Sequence, residues 1–352
     1  MIEIDGAAGE GGGQILRTAL ALSVATGSPF TIHRIRANRR RPGLMRQHLT
    51  AVLAAAAVGR AEAQGAALGS TRLTFRPRGI EPGRHHFDVG SAGSATLVLQ
   101  AVLPPLLTAE AGSNLLLEGG THNPFAPPFD FLDQTFLPRI REMGPQITAA
   151  LHRPGFFPAG GGRFAVTITP VRALDPVDLI HRGTVRRCFA RASVARLPRH
   201  IAEREIDVIR SSLAISDDQL SVEEIRNSAG PGNIAILSVE SDALTETFAG
   251  FGRRGVPAEA VARGLVSEAK EYLAADVPVG RRLADQLLVP MALAGGGRFR
   301  TLPPSRHTRT NARVIRRFLD VDIAIEPEGD DNGAWQVVIK RRSSRPGAPD
   351  RA

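Results

Sequence analysis

Cysteine is almost missing from this chain: Cys188 stands alone among 352 residues. No intrachain disulfide can form, and a reducing, cytoplasmic location is the simple expectation. Lysine is nearly as scarce, with only Lys270 and Lys340. Long apolar runs are missing too. The longest, residues 95–107, is interrupted by Gln100, Pro104 and Pro105, well short of the ~20 residues that a membrane span needs. The opening residues Met1 to Asp5 carry neither a basic nor an apolar leader region, which points away from a secretory signal. These absences predict a soluble protein with no membrane partner. Its 43% hydrophobic content is enough for the cores of roughly two domains.

What is present is arginine, which carries nearly all of the positive charge behind a formal net charge of +9. Guanidinium groups hold phosphate through a planar fork of donors and stack on bases, so the composition is compatible with a phosphate-rich or nucleic-acid partner. Base composition of the genome accounts equally well for arginine in place of lysine. Placement along the chain therefore matters more than the total.

A short strand running into a glycine-rich turn and then a helix recurs. It appears at Ile2 to Asp5 before "GAAGEGGGQILRTALALSVATG", at Phe87 to Val89 before "GSAGSATLVLQAVLPPLL", and, as a glycine before an apolar helical pattern, at residues 279–297. Leu16, Leu20 and Val24 are spaced by four, which predicts one buried helix face. The repetition suggests one module used several times, with helices covering one side of a sheet. Residues 181–277 read differently, as strand (185–197), helix (200–214), two strands (near 220–225 and 233–240) and helix (257–275). The expected division is a large domain of residues 1–180 plus 278–340, an inserted domain of 181–277, and a polar, proline-bearing tail of 341–352 expected to be disordered.

Three clusters have the composition of a phosphate or nucleotide site. In "GEGGGQILRT" (9–18), glycines ahead of a helix leave backbone N–H groups free to face an anion. A tight turn without a ligand fits the same residues, and neither the dinucleotide fingerprint nor the P-loop pattern is met. Glu10, a candidate metal ligand, and Arg17 raise its interest. In "IRANRRRPGLMRQHLTAV" (35–52), Arg36, Arg39, Arg40, Arg41 and Arg46 surround a Pro-Gly turn. Such density suits a polyphosphate or an RNA backbone, or simply a solvated face. In "GGTHNPFAPPFDF" (119–131), Pro127 and Phe131 offer an apolar slot for a base, or a loop pinned by prolines. Neither lysine is followed by the x-Asp-Gly of lysine-adenylating enzymes. If the chain forms a covalent nucleotide, histidine is the remaining nucleophile.

Nine segments, in order and without large gaps over about residues 1–340, resemble the RNA 3'-terminal phosphate cyclase family. They are "DGAAGEGGGQILRTALALS", "RRRPGLMRQHLTAV", "GSAGSATLVLQAVLP", "GGTHNPFAPP", "PGFFPAGGG", "PRHIAERE", "GPGN", "LADQLLVPMALAGGG" and "HTRTN". The resemblance implies an α/β (α+β) protein. Its large domain would hold three repeated units like the C-terminal domain of translation initiation factor three, and its inserted domain would be thioredoxin-like. The implied activity is ATP-dependent conversion of an RNA 3'-phosphate to a 2',3'-cyclic phosphate. In this resemblance His307 of "HTRTN" matches the adenylated histidine, and Glu10 matches a position at a divalent metal, Mg2+ or Mn2+. Arg17, Arg36, Arg39 and Gln47 match phosphate-contacting positions. Gln100, Leu283, Ala284, Asp285 and Gln286 match the ATP pocket, with Pro127 on one face of adenine. Arg282 departs from the pattern, standing where some members carry a base-stacking tyrosine, though a guanidinium plane can also stack. The alternatives are a non-catalytic ribosome-assembly relative lacking the histidine motif, an enolpyruvyl transferase built from similar units, and a plain RNA-binding module.

Overall fold

A computed structural model describes residues 1–329 and 333–342. The chain is a mixed α/β protein with several small sheets, four of them four-stranded. The first sheet takes β1 (Ile2–Asp5), β2 (Phe30–His33), β3 (Glu62–Gln64) and β4 (Leu73–Arg76) in the order β1-β2-β4-β3. Helix α1 (Gly13–Thr26) joins β1 to β2, which are parallel, and α2 (Arg46–Val58) leads to the antiparallel pair β3 and β4. The same order and the same strand directions return in the second sheet, β5 (Gly83–Asp88), β6 (Ser113–Gly119), β7 (Gln146–Arg153) and β8 (Gly162–Thr169). There α3 (Ala95–Leu106) makes the first crossover, and α4 (Phe129–Phe131), a π turn (Leu132–Phe136) and α5 (Leu137–Glu142) make the second.

After β9 (Val177–Leu179) the chain leaves to build a sheet with its own core. Its strands are β10 (Val185–Ala195), β11 (Leu220–Ile225), β12 (Gly232–Ser241) and β13 (Thr245–Phe251), covered by α6 (His200–Leu213) and α7 (Ala258–Ala275). It then returns through α8 (Arg281–Ala294), β14 (Gly296–Thr301), α9 (Arg306–Phe318), β15 (Val321–Pro327) and β16 (Trp335–Arg341). These close the sheet begun by β9, again with a parallel first pair and two antiparallel ones.

The elements between residues 181 and 277 follow the predicted order, with local differences. The strand begun at Val185 ends at Ala195 because Arg196 takes a left-handed conformation with φ 50°, and α6 stops one residue early because Ala214 does the same. The strand β13 was not anticipated; its "TETFAGF" pairs antiparallel with β12 as an edge strand. In α1, Leu16, Leu20 and Val24 are buried as their spacing predicts, but so are nearly all residues from Gln14 to Val24. Helices α2, α3 and α9 all pack against α1, leaving little solvent-facing side. At the other end, Arg341 still belongs to β16 and Arg342 Nε donates to Asp322 Oδ1 at 2.8 Å. Residues 341 and 342, the first of the tail expected to be disordered, are therefore ordered, and the rest of it lies outside the described residues. No helix among the described residues is long and apolar enough to cross a membrane.

Candidate active site

The turn between β1 and α1 folds its glycines around other elements of the molecule. Gly9 and Gly11 hold φ of 61° and 60°, a region that disfavours other residues. A methyl group on Gly9 would lie 2.2 Å from Thr310 Oγ1. That hydroxyl accepts the Glu10 backbone N–H at 3.2 Å and donates to the Arg306 carbonyl at 2.7 Å. A Cβ on Gly12 would fall 2.4 Å from Glu10 Oε2, and one on Gly13 2.4 Å from His48 Nε2. The run of glycines thus lets one carboxylate, one imidazole and the start of α9 converge on the N-terminus of α1.

"RHTRTN", residues 306–311, is the first turn and a half of α9 rather than a loop. Ser305 caps it, its hydroxyl accepting the Thr308 N–H at 3.1 Å, the usual way to satisfy a free helix-end donor. The hydroxyls of Ser305 and Thr308 both donate to Asp285 of α8. Asn311 Nδ2 donates to the Asp285 carbonyl at 3.0 Å, while its oxygen accepts from Thr18 of α1. Three helices are tied together around this turn. His307 projects from it half-exposed, its Nδ1 3.8 Å from Glu10 Oε2. Asp285 is half-buried, and desolvation raises its carboxyl above the usual range even though two hydroxyl donors and the nearby His307 pull the other way.

Glu10 is a second buried carboxylate. Its side chain is 5% exposed and pairs through Oε2 with Arg39 Nη2 at 2.5 Å, while Oε1 is buried with no hydrogen-bond partner. Arg17, one turn into α1, donates Nε to Gln100 Oε1 at 3.1 Å, and Gln100 in turn donates to Gln286. Burial depresses the Arg17 guanidinium to about 10, with Glu10 opposing the shift; it remains charged at neutral pH. Beside these groups opens a narrow cavity of about 50 Å³. Arg17, Gln100, Pro127, Asp285 and Gln286 line it, with Phe131 among the apolar walls.

The remaining predicted residues are placed less directly. Arg36 adopts a left-handed backbone (φ 54°) and donates Nη1 to the carbonyls of Arg41 and Gly43 at 2.7 and 2.8 Å, bracing its own loop. Gln47 accepts the Ser94 N–H at the start of α3 at 2.7 Å. Leu283 and Ala284 are core residues that do not line the cavity, and Arg282 lies half-exposed near Glu268 at 3.8 Å. Reasoning from sequence missed His48, although it sits in the quoted segment 35–52. Its Nδ1 accepts the Met45 N–H at 3.3 Å, so in the neutral tautomer the proton sits on Nε2, beside Gly13 and Arg17. Burial, then Arg17 and Arg36, push its pKa down to about 3. Only the long-range packing of α2 on α1 reveals this.

A histidine beside a carboxylate, arginines at a helix N-terminus and an apolar cavity together form a set suited to phosphoryl chemistry on a nucleotide. The curated RNA 3'-terminal phosphate cyclase of Koribacter versatilis (strain Ellin345) is 52% identical over 328 residues, spanning 93% of this chain and 92% of that protein. The family profile for RNA 3'-terminal phosphate cyclase matches residues 8–325. With its fold and its glycine turn covered by that match, the chain belongs to the RNA 3'-terminal phosphate cyclase family.

Proposed function

We propose that this protein converts an RNA 3'-terminal phosphate to a 2',3'-cyclic phosphodiester at the expense of ATP, through an adenylate carried on His307. The observation that carries the reading is the position of His307. It stands 3.8 Å from Glu10 at the N-terminal end of α1, on a helical turn whose Ser305 and Thr308 hydroxyls bind Asp285, one of the polar residues that with Gln100, Gln286 and apolar Pro127 and Phe131 wall the cavity.

The sequence of bonds is as follows. Glu10 faces Nδ1, leaving Nε2 of His307 to attack the α-phosphorus of ATP. The P–N bond forms as the bond to the β-phosphate oxygen breaks, and pyrophosphate leaves. An oxygen of the RNA 3'-phosphate then attacks the same phosphorus, the P–N bond breaks, and a mixed anhydride of RNA and AMP results. Finally the neighbouring 2'-oxygen attacks the RNA phosphorus, loses its proton and expels AMP. Each step gathers charge on phosphate oxygens, and Arg17, Arg39 and the neutral Nε2–H of His48 converge where that charge develops. Binding ATP in the cavity orients its α-phosphorus toward the histidine.

A divalent cation, Mg2+ or Mn2+, belongs to the same reading, and Glu10 fits it through its buried, unpartnered Oε1. No group of three or more His, Cys, Asp or Glu is gathered for a metal among the described residues. Glu10 would therefore share the ion with phosphate oxygens, as Mg2+ commonly does, and the ion would supply charge neutralisation. The three like-ordered sheets are taken as repeated units resembling the C-terminal domain of translation initiation factor three, formed by residues 1–180 and 278–340. Residues 181–277 are taken as an inserted thioredoxin-like unit, and the cytoplasm as the place of action.

The test is to incubate the protein with α-labelled ATP and magnesium, denature it and follow the label. Acid-labile, base-stable label on the polypeptide, lost on adding a 3'-phosphorylated oligonucleotide as cyclic ends appear, is the expected result. Absence of label at saturating ATP and metal overturns the reading. Turnover that instead requires phosphoenolpyruvate would assign an enolpyruvyl transferase.

A further inference from the structure

We propose that Phe125 and Phe157, with Arg40, Arg41 and Arg46, form a track on which the last unpaired nucleotides of the RNA lie as its 3'-phosphate enters the site. The inference rests on the cyclase reading and adds how the polynucleotide is held. Of fifteen phenylalanines, the described structure leaves only these two largely exposed, at 91% and 70%. The others are buried or half-buried in the packing. Leaving two large rings in water is unfavourable unless something covers them.

Both rings sit at the tips of turns. Ala126 N–H closes back onto the Asn123 carbonyl at 3.2 Å around Phe125, and Gly160 N–H onto the Phe156 carbonyl at 2.7 Å around Phe157. The two turns are neighbours: His122 and Phe156 form a parallel bridge, and their rings lie 5.3 Å apart. Backbone contacts then lead from these tips to the anion-facing end of α1. Asn123 Nδ2 donates to the Ala92 carbonyl at 2.6 Å, and a Cβ on Gly160 would lie 2.7 Å from the Ser91 carbonyl oxygen. Residues 90–94 in turn touch α2, where Arg46 Nη1 donates to the Gly90 carbonyl at 3.2 Å and Gln47 accepts from Ser94. His48, one residue on, reaches Gly13.

Charge along this route suits a polyanion. Most arginines of the inserted unit's sheet and helices, such as Arg186, Arg187, Arg204 and Arg210, are paired with carboxylates. Arg40, Arg41 and Arg46 are exposed and form no ion pair among the described residues. Exposed aromatic rings joined through residues 90–94 to an unpaired guanidinium, that of Arg46, and to the arginine-rich loop before it are what single-stranded nucleic acid requires: stacking for the bases and countercharge for the backbone. A protein partner would want a continuous apolar patch in place of two isolated rings flanked by cations.

The experiment measures binding of a fluorescent, 3'-phosphorylated RNA decamer by anisotropy, for the wild-type chain and for the Phe125→Ala/Phe157→Ala double variant. We expect the double variant to bind on the order of tenfold more weakly or worse, and Phe125→Trp/Phe157→Trp to restore binding. A decamer without bases at its last three positions should lose affinity for the wild type but not for the double variant. Adenylation by labelled ATP, which involves no RNA, should be the same in all variants and doubles as the check on folding. Equal binding by wild type and double variant, or equal loss of both on the base-less RNA, overturns the track. If the wild type binds RNA through these rings yet takes no label from ATP, the track stands and the cyclase reading falls.

Discussion

Thr308 donates its hydroxyl to Asp285, fastening the helix that carries His307 to a helix that walls the cavity. The acceptor is a half-buried carboxylate that also takes the Ser305 hydroxyl at 3.0 Å, so the position of His307 and the shape of the cavity are set by the same few bonds. Removing one hydroxyl without changing volume isolates this link. Thr308→Val should destabilise the fold by about 0.5–1.5 kcal/mol, the usual net worth of one hydrogen bond, since Ser305 still donates to Asp285. It should also slow labelling by ATP more than it weakens ATP binding. Chemical unfolding and single-turnover adenylation read the two effects separately.

His307 itself is bound differently. Its side chain is 47% exposed, and among the described residues its only ion-pair partner is Glu10, at 3.8 Å. Truncation should leave stability within about 0.5 kcal/mol of wild type, the usual result for surface substitutions, while abolishing the labelled adduct. A thermal melt and a labelling gel on His307→Ala make the comparison. A collapse in melting temperature together with lost activity would make the residue structural.

How much of this site is legible in the sequence follows from the range of the interactions. The glycine turn is legible because a strand, a glycine run and an apolar helix are local patterns, and the helix spacing of Leu16, Leu20 and Val24 predicts their burial. The meeting of Glu10 with His307 is not local: it depends on α1 packing against α9 from opposite ends of the chain. Only the family resemblance brought the two together. That "RHTRTN" opens a helix is not evident from the segment itself, because its one helix-start signal, Ser305, lies just outside it. β13 escapes notice because "TETFAGF" is short, begins with polar residues and is held by one neighbour, β12.

His48 offers a test of electrostatic reasoning. Burial and two guanidinium groups hold it neutral down to about pH 3, so above pH 5 it acts as a fixed N–H donor beside Arg17. His48→Asn should lower the adenylation rate by about 100- to 1000-fold, the range for loss of a donor to a developing oxyanion. The shape of the pH–rate profile above pH 5 should not change, because the lost group does not titrate there. A profile that loses a limb in His48→Asn would show that the imidazole ionises during turnover.

The last prediction concerns the joint between the sheet of β10 to β13 and α8. Glu246 of β13 is fully buried and accepts the Gly280 N–H at the start of α8 at 3.0 Å. A Cβ on Gly280 would lie 2.7 Å from the carboxyl carbon, so glycine there is what permits the approach. Burial raises this carboxyl to about 8, the Gly280 N–H and Arg282 only partly opposing it. Glu205, buried in α6 beside Asn233, is raised to about 7 by the same cause. For both, the folded state binds a proton more tightly than the unfolded chain, whose glutamates titrate near 4.5. Their contribution is thus fully present below pH 4.5 and is lost as pH climbs to about 8, each group adding a slope of at most about 1.4 kcal/mol per pH unit. Glu246→Gln keeps an acceptor for Gly280 without the charge. Stability measured by urea unfolding from pH 5 to 9 should therefore fall less steeply in this variant than in wild type, and the two curves should diverge most at the alkaline end. Parallel curves would mean that Glu246 stays ionised in the folded protein, stabilised by the helix start and Arg282 despite its burial.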